Sequence, residues 1–110
     1  MKTFYHPAIS VPVDGAFTLP WKFSVGPTPG GWYLKLDKGL ELLTEIVGEP
    51  YAPGEGSGSP LSFMVVPHQL GVLKAYVEWR KHETSEPLYR HSFEIEVVER
   101  DYSQSMRTLG

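Results

Sequence analysis

Apolar residues in this chain recur at every second position, in short runs that proline and glycine keep cutting off. No other feature constrains the fold as strongly. Period two places alternate side chains on opposite faces of a β-strand, whereas a helix needs a period of about 3.6. In "FTLPWKFSV", Phe17, Leu19, Trp21, Phe23 and Val25 share one parity, and Thr18, Pro20, Lys22 and Ser24 take the other. Pro20 has no N–H for a ladder bond, so this strand is expected at a sheet edge or with a bulge. "WYLKL" sets Trp32, Leu34 and Leu36 against Tyr33 and Lys35. "LSFMVV" alternates at Leu61, Phe63 and Val65. In "GVLKAYVEW", Leu73, Ala75, Val77 and Trp79 point one way, and Lys74, Tyr76 and Glu78 the other. "HSFEIEVVE" puts Phe93, Ile95 and Val97 inside, with Glu94 and Glu96 outside.

One run is ambiguous. In "LELLTEIVGEPY", Leu40, Leu43 and Val47 suit a helix, while Leu40, Leu42, Thr44 and Ile46 suit a strand. The β-branched Thr44, Ile46 and Val47, and the strands on either side, favour a strand. "ISVPV" reads as a further short edge strand. The tail "RDYSQSMRTLG" has no periodicity and is expected to fray. Short strands separated by turn signals, without a clear helix, define an all-β fold: an antiparallel immunoglobulin-like β-sandwich of about seven strands. A small barrel is the structural alternative. The 110 residues suit a single domain, 1–110, with the sandwich over roughly 8–99 and a flexible tail over 100–110.

Several function classes are disfavoured. A net charge of −3 gives no basic face for phosphates, so nucleic acid is not an expected partner. No stretch approaches the roughly 20 apolar residues of a membrane-spanning helix, so no membrane partner is expected. Without cysteine there is no disulfide, thiolate nucleophile or cysteine-ligated zinc. Its absence leans towards a cytoplasmic setting, and "MKTFYHPAISVPVDG" holds no apolar run of signal-peptide length.

No catalytic constellation stands out, and the chain is not expected to be an enzyme. Gly56-Ser57-Gly58 precedes a strand, not the helix that a nucleophile elbow requires. For the same reason "GEGSGSPLSF" is not a phosphate loop. His82, Glu83 and Glu86 could be spaced as metal ligands on a hairpin, but a solvated charged turn fits them better, and no metal or cofactor is expected. Glu94 and Glu96 read as a solvent face.

The loops then become the informative features. In "SVGPTPGGWYL", Pro27 and Pro29 restrict φ before any partner arrives, while Gly26, Gly30 and Gly31 permit close backbone approach. A stiff loop without bulky side chains can enter a narrow cleft at low entropic cost. An ordinary rigid turn has the same composition.

The order and spacing of these loops resemble those of the chagasin family of cysteine-protease inhibitors. That family carries Asn-Pro-Thr-Thr-Gly, Gly-x-Gly and Arg-Pro-Trp motifs on three loops. "GPTPG" matches the first at Pro27, Thr28 and Gly30, with Gly26 in place of the Asn and Pro29 in place of the second Thr. Gly31 stands where the family has an aromatic. Gly56 and Gly58 match the second motif, at the family's spacing to Phe63, and Gly71 fits the turn before the next strand. Lys81 falls at the Arg of the third motif, and His82 and Glu83 at its Pro-Trp; a small register shift would let Trp79 and Arg80 serve.

The resemblance covers roughly residues 10–98. It implies an immunoglobulin-like sandwich acting as a monomeric, reversible, non-covalent inhibitor of a papain-like cysteine protease. Gly26, Pro27, Thr28, Pro29, Gly30 and Gly31 would sit over the catalytic cysteine. Gly56, Ser57, Gly58 and Ser59 would lie along the cleft. Trp79, Arg80, Lys81 and His82 would brace its far wall. An alternative from another class is an adhesion or assembly module that uses exposed aromatics such as Tyr33 and Tyr76. A weaker one is a carbohydrate-binding sandwich using Trp21, Trp32 or Trp79, although alternation places these tryptophans mostly in the core.

Overall fold

Proline decides where two of the strand lanes break. The computed structural model describes residues 1–26, 30–51 and 58–100. In it β1 (Lys2–Tyr5) and β2 (Ile9–Pro12) lie along the same edge, interrupted around Pro7. β3 (Phe17–Thr18) and β4 (Phe23–Val25) are interrupted around Pro20 in the same way. A proline inside a lane removes a ladder donor and is found mainly at edges, strand ends or bulges, and both broken lanes are edges. The remaining strands are β5 (Gly31–Leu36), β6 (Leu40–Val47), β7 (Ser59–Pro67), β8 (Gly71–Arg80) and β9 (Tyr89–Val98).

They form two sheets. In the first, β1 and β2 pair with β9, which pairs with β8, which pairs with β5. In the second, β3 and β4 flank β7 on one side and β6 on the other. The nine described strands thus occupy seven lanes of an immunoglobulin-like sandwich. One correction concerns direction: β1 and β2 run parallel to β9, with Lys2 opposite Tyr89 and Ile9 opposite Ile95. All other pairings are antiparallel. Strand content also begins at Lys2, ahead of the boundary near residue 8 that the pattern suggested.

The inward parities meet between the sheets. Phe63, Val65, Ala75, Val77, Phe93 and Ile95 are fully buried, and Leu19 and Phe23 close the core from the broken edge. Trp32, Leu34 and Leu36 pack against it, half-buried. Burying one such aliphatic or aromatic side chain contributes about 1.5–3 kcal/mol, so without cysteine these rows carry the stability.

Three details depart from strict alternation. The break at Pro20 leaves Trp21 49% exposed, so it is not a core residue, and Val25 at the end of β4 is exposed too. In β6 a bulge at Leu43 shifts the register between Leu42 and Thr44. The face expected from Leu40, Leu42, Thr44 and Ile46 therefore splits, and Glu45 and Val47, not Thr44 and Ile46, oppose Phe63 and Leu61. Glu78, assigned to the solvent side by alternation, is fully buried. Three cations cover it: Arg80 at 2.6 Å, Lys35 at 3.5 Å, and Arg90, bonded through both Nε and Nη2. Burial acts to raise its pKa, but the hydrogen bonds from Arg80 and Arg90 and the charges of Arg90 and Lys35 outweigh it and hold the carboxyl below its usual value.

Candidate functional site

Three loop stems converge at one pole of the sandwich. β4 leaves the second sheet at Val25, opposite Ser59, and β5 enters the first sheet at Gly31, opposite Arg80. The Trp32 indole Nε1 donates to the Ser24 carbonyl at 3.1 Å, tying the two sides of this loop together across the sheets. Gly30 has φ +118°, in the region that favours glycine, and a Cβ there would overlap the Trp79 ring. Gly26 differs: among the described residues, a Cβ there meets nothing within 4 Å. Pro27, Thr28 and Pro29, the centre of the first motif, lie outside the described residues.

The second stem closes beside the first. The Gly48 N–H donates to Pro60 O at 2.8 Å and the Tyr51 N–H to Gly58 O at 2.9 Å. A Cβ on Gly58 would lie 2.5 Å from Ser24 Oγ, so a side chain at this position requires the Ser24 hydroxyl to turn away. Ser59 opens β7, while Gly56 and Ser57 lie outside the described residues.

The third stem is the β8–β9 hairpin. Leu88 N–H donates to Trp79 O at 2.9 Å, and Ser85 N–H to His82 O at 3.1 Å. Arg80 is spent internally. Its Nη1 donates to the carbonyls of Ser85 at 2.8 Å and Glu83 at 3.3 Å, and its Nη2 to Glu78 at 2.6 Å. Lys81 and His82 are exposed on the turn, whereas Trp79 lies beneath Gly30. A hollow of about 210 Å³ opens where the stems meet, bounded by Ser24, Gly26, Gly30, Trp32, Leu61 and Trp79.

The parallel edge lane brings a fourth element to this pole. The Lys2 N–H donates to Leu88 O at 3.2 Å, so β1 begins against the third stem. Below it, His6 Nε2 lies 2.8 Å from His91 Nδ1. The two histidines stand 85 residues apart, and only the parallel pairing of β1 on β9 brings them together. Burial lowers the pKa of both, and the neighbouring His6 lowers His91 further. Among the described residues, no group of three or more His, Asp or Glu side chains is placed to hold a metal ion.

Three loop stems thus gather at one end of a single disulfide-free, seven-lane sandwich. Two solved structures share it. The cysteine protease inhibitor EhICP2 from Entamoeba histolytica superposes with a TM-score of 0.69 at 14% identity, covering 88% of this chain and 95% of that one. Amebosin superposes with a TM-score of 0.60 at 18% identity, covering 88% of this chain and 97% of that one. No protein-family model and no curated protein matches the chain.

Proposed function

We propose that this chain is a reversible, non-covalent inhibitor of papain-like cysteine proteases and presents its three-stem pole to the active-site cleft. The observation that carries this reading is the convergence of the stems around Gly26 and Gly30, Gly58, and Trp79 to Leu88, on a fold shared with a cysteine protease inhibitor. Small residues at the first two stems leave backbone free to approach a cleft wall, where side chains would obstruct. Three loops on one rigid end can bury an interface of standard size, about 800 Å² on each partner. No catalytic group of the chain takes part: occupancy of the cleft excludes substrate.

The third stem departs most from the family pattern. It lacks the Pro-Trp pair, and its arginine is committed to Glu78 and to the turn carbonyls. Loss of an aromatic anchor costs about 2–4 kcal/mol, or roughly 30- to 1,000-fold in affinity. Affinity for papain-type enzymes is therefore expected to rest on the first two loops. The deciding experiment is inhibition of papain and of a cathepsin-L-like enzyme by folded protein. Competitive inhibition at nanomolar to micromolar concentration supports the reading, and full protease activity at high molar excess overturns it.

A further inference from the structure

We propose that His6 and His91 form a proton-operated clasp holding β1 on β9, and that charging of both rings releases β1 from the third stem. The 2.8 Å spacing of His6 Nε2 and His91 Nδ1 allows one shared hydrogen: one ring donates and the other accepts. That arrangement needs at least one neutral ring. When both rings are imidazolium, both facing nitrogens carry hydrogen, the bond is lost, and two positive charges face each other.

Among the described residues, no carboxylate offsets that charge. His91 is only 7% exposed. The rings packed on the pair are Phe4 from β1, Trp21 from the β3–β4 connection, Phe23 from β4, Trp32 from β5 and Phe93 from β9. His6 stacks on Phe93 with centroids 4.3 Å apart. Among the described residues no carboxylate bonds either ring. The nearby charged groups on these elements are Lys2, whose ammonium sits over the Phe4 ring, and the Arg90–Glu78 pair, whose side chains take the opposite parity of β9 and β8. Lys22, beside Trp21, is exposed. Burial disfavours the charged form of both histidines, in accord with their lowered pKa values.

What the clasp holds follows from the topology. β1 is a four-residue edge strand, exposed along most of its length. The Lys2 N–H bond to Leu88 O and the His6 N–H bond to Ser92 O flank its ladder. A strand this short has little else to keep it in place, so an open clasp frees the edge of β9 and one support of the 81–88 turn. The sign follows from the direction of the shifts. Histidines held below their ordinary value of 6.5 contribute stability that is complete above that value and is lost as pH falls through their folded-state values. His68, at the opposite pole, works the other way. Its hydrogen bonds to Asp14 and Glu41 raise its pKa, so its contribution is complete below pH 6.5 and fades as pH rises.

The test does not depend on protease binding. Amide hydrogen exchange of the full chain is followed by NMR from pH 7.5 to pH 4.5, corrected for the intrinsic pH dependence of exchange. Protection at Lys2 and His6 is expected to fall at least tenfold across this range, while protection in β7 and β8 holds. In His6→Gln, whose amide can still bond His91 but cannot charge, the Lys2 step should shrink to less than threefold. His68→Gln should leave the step intact. Unchanged β1 protection in the wild type overturns the proposal, as does a full-sized step that persists in both His6→Gln and His6→Phe.

Discussion

At the scale of single residues, two glycines in one loop make opposite demands. Gly30 combines a positive φ with a Trp79 ring where its Cβ would be, so Gly30→Ala strains the backbone and displaces the tryptophan together. Overpacking of this kind costs about 1–3 kcal/mol, and urea unfolding of Gly30→Ala should register a loss in that range. Among the described residues nothing lies within 4 Å of a Cβ on Gly26, and they impose no such requirement there. Sequence composition made the two look alike, because nothing local records that Trp79 arrives from another strand to cover one and not the other. The same limit hid the histidine pair. Each histidine alone looks like an ordinary polar residue, and their contact exists only once the strand partners are known.

At the scale of elements, the alternating runs were legible because each strand has one wet and one dry face. β7, β8 and β9 follow their expected inward rows through Val65, Ala75 and Ile95. Alternation failed where a second structural cause overrode it: proline at the β3–β4 break, a bulge in β6, and ion pairing at Glu78. The last is testable. Glu78 holds Arg80 against the turn carbonyls while also bonding Arg90. Removing one partner from a buried ion pair costs about 3–5 kcal/mol, so Glu78→Gln should destabilise the chain by about 3 kcal/mol in urea unfolding at pH 7. Because the carboxyl is held below its usual value of 4.5, its contribution is present above that pH and is lost as pH falls through the folded-state value. The gap between wild type and Glu78→Gln should therefore close in acid, and a gap of constant size would exclude a charge-based role. Lys35, Arg80 and Arg90 carry charges opposite to Glu78, but only the registers Lys35–Tyr76 and Glu78–Arg90 show that they meet.

At the scale of the whole molecule, the stems share one pole because β4, β6 and β8 all end there, while β5, β7 and β9 begin there. The order of the motifs made that arrangement readable in advance. The parallel lane of β1 was not readable, since a four-residue strand beside Pro7 carries too little pattern to fix its direction. The stem arrangement yields a paired prediction. Gly26→Arg places a long side chain on the three-stem pole from a position where a Cβ meets none of the described residues, and Val72→Arg places one on exposed β8 near the far pole. Against a papain-like protease, Gly26→Arg should weaken inhibition by at least roughly 30-fold, the scale of a lost hot spot. Val72→Arg should leave inhibition unchanged, and both should melt within a few degrees of wild type. Equal inhibition by the two variants would place the contact elsewhere on the surface.

Because β1 runs alongside β9 in the same direction, the chain's first residues sit next to Leu88, while Val98 lies at the other end of β9. At about 3.3 Å per strand residue, the two attachment points are roughly 30 Å apart. A purification tag, fluorophore or carrier joined ahead of Met1 crowds the face that would meet an enzyme. A linkage made directly after Arg100, which lies beside Gly15 at the opposite side, suits immobilisation of the protein on a sensor surface.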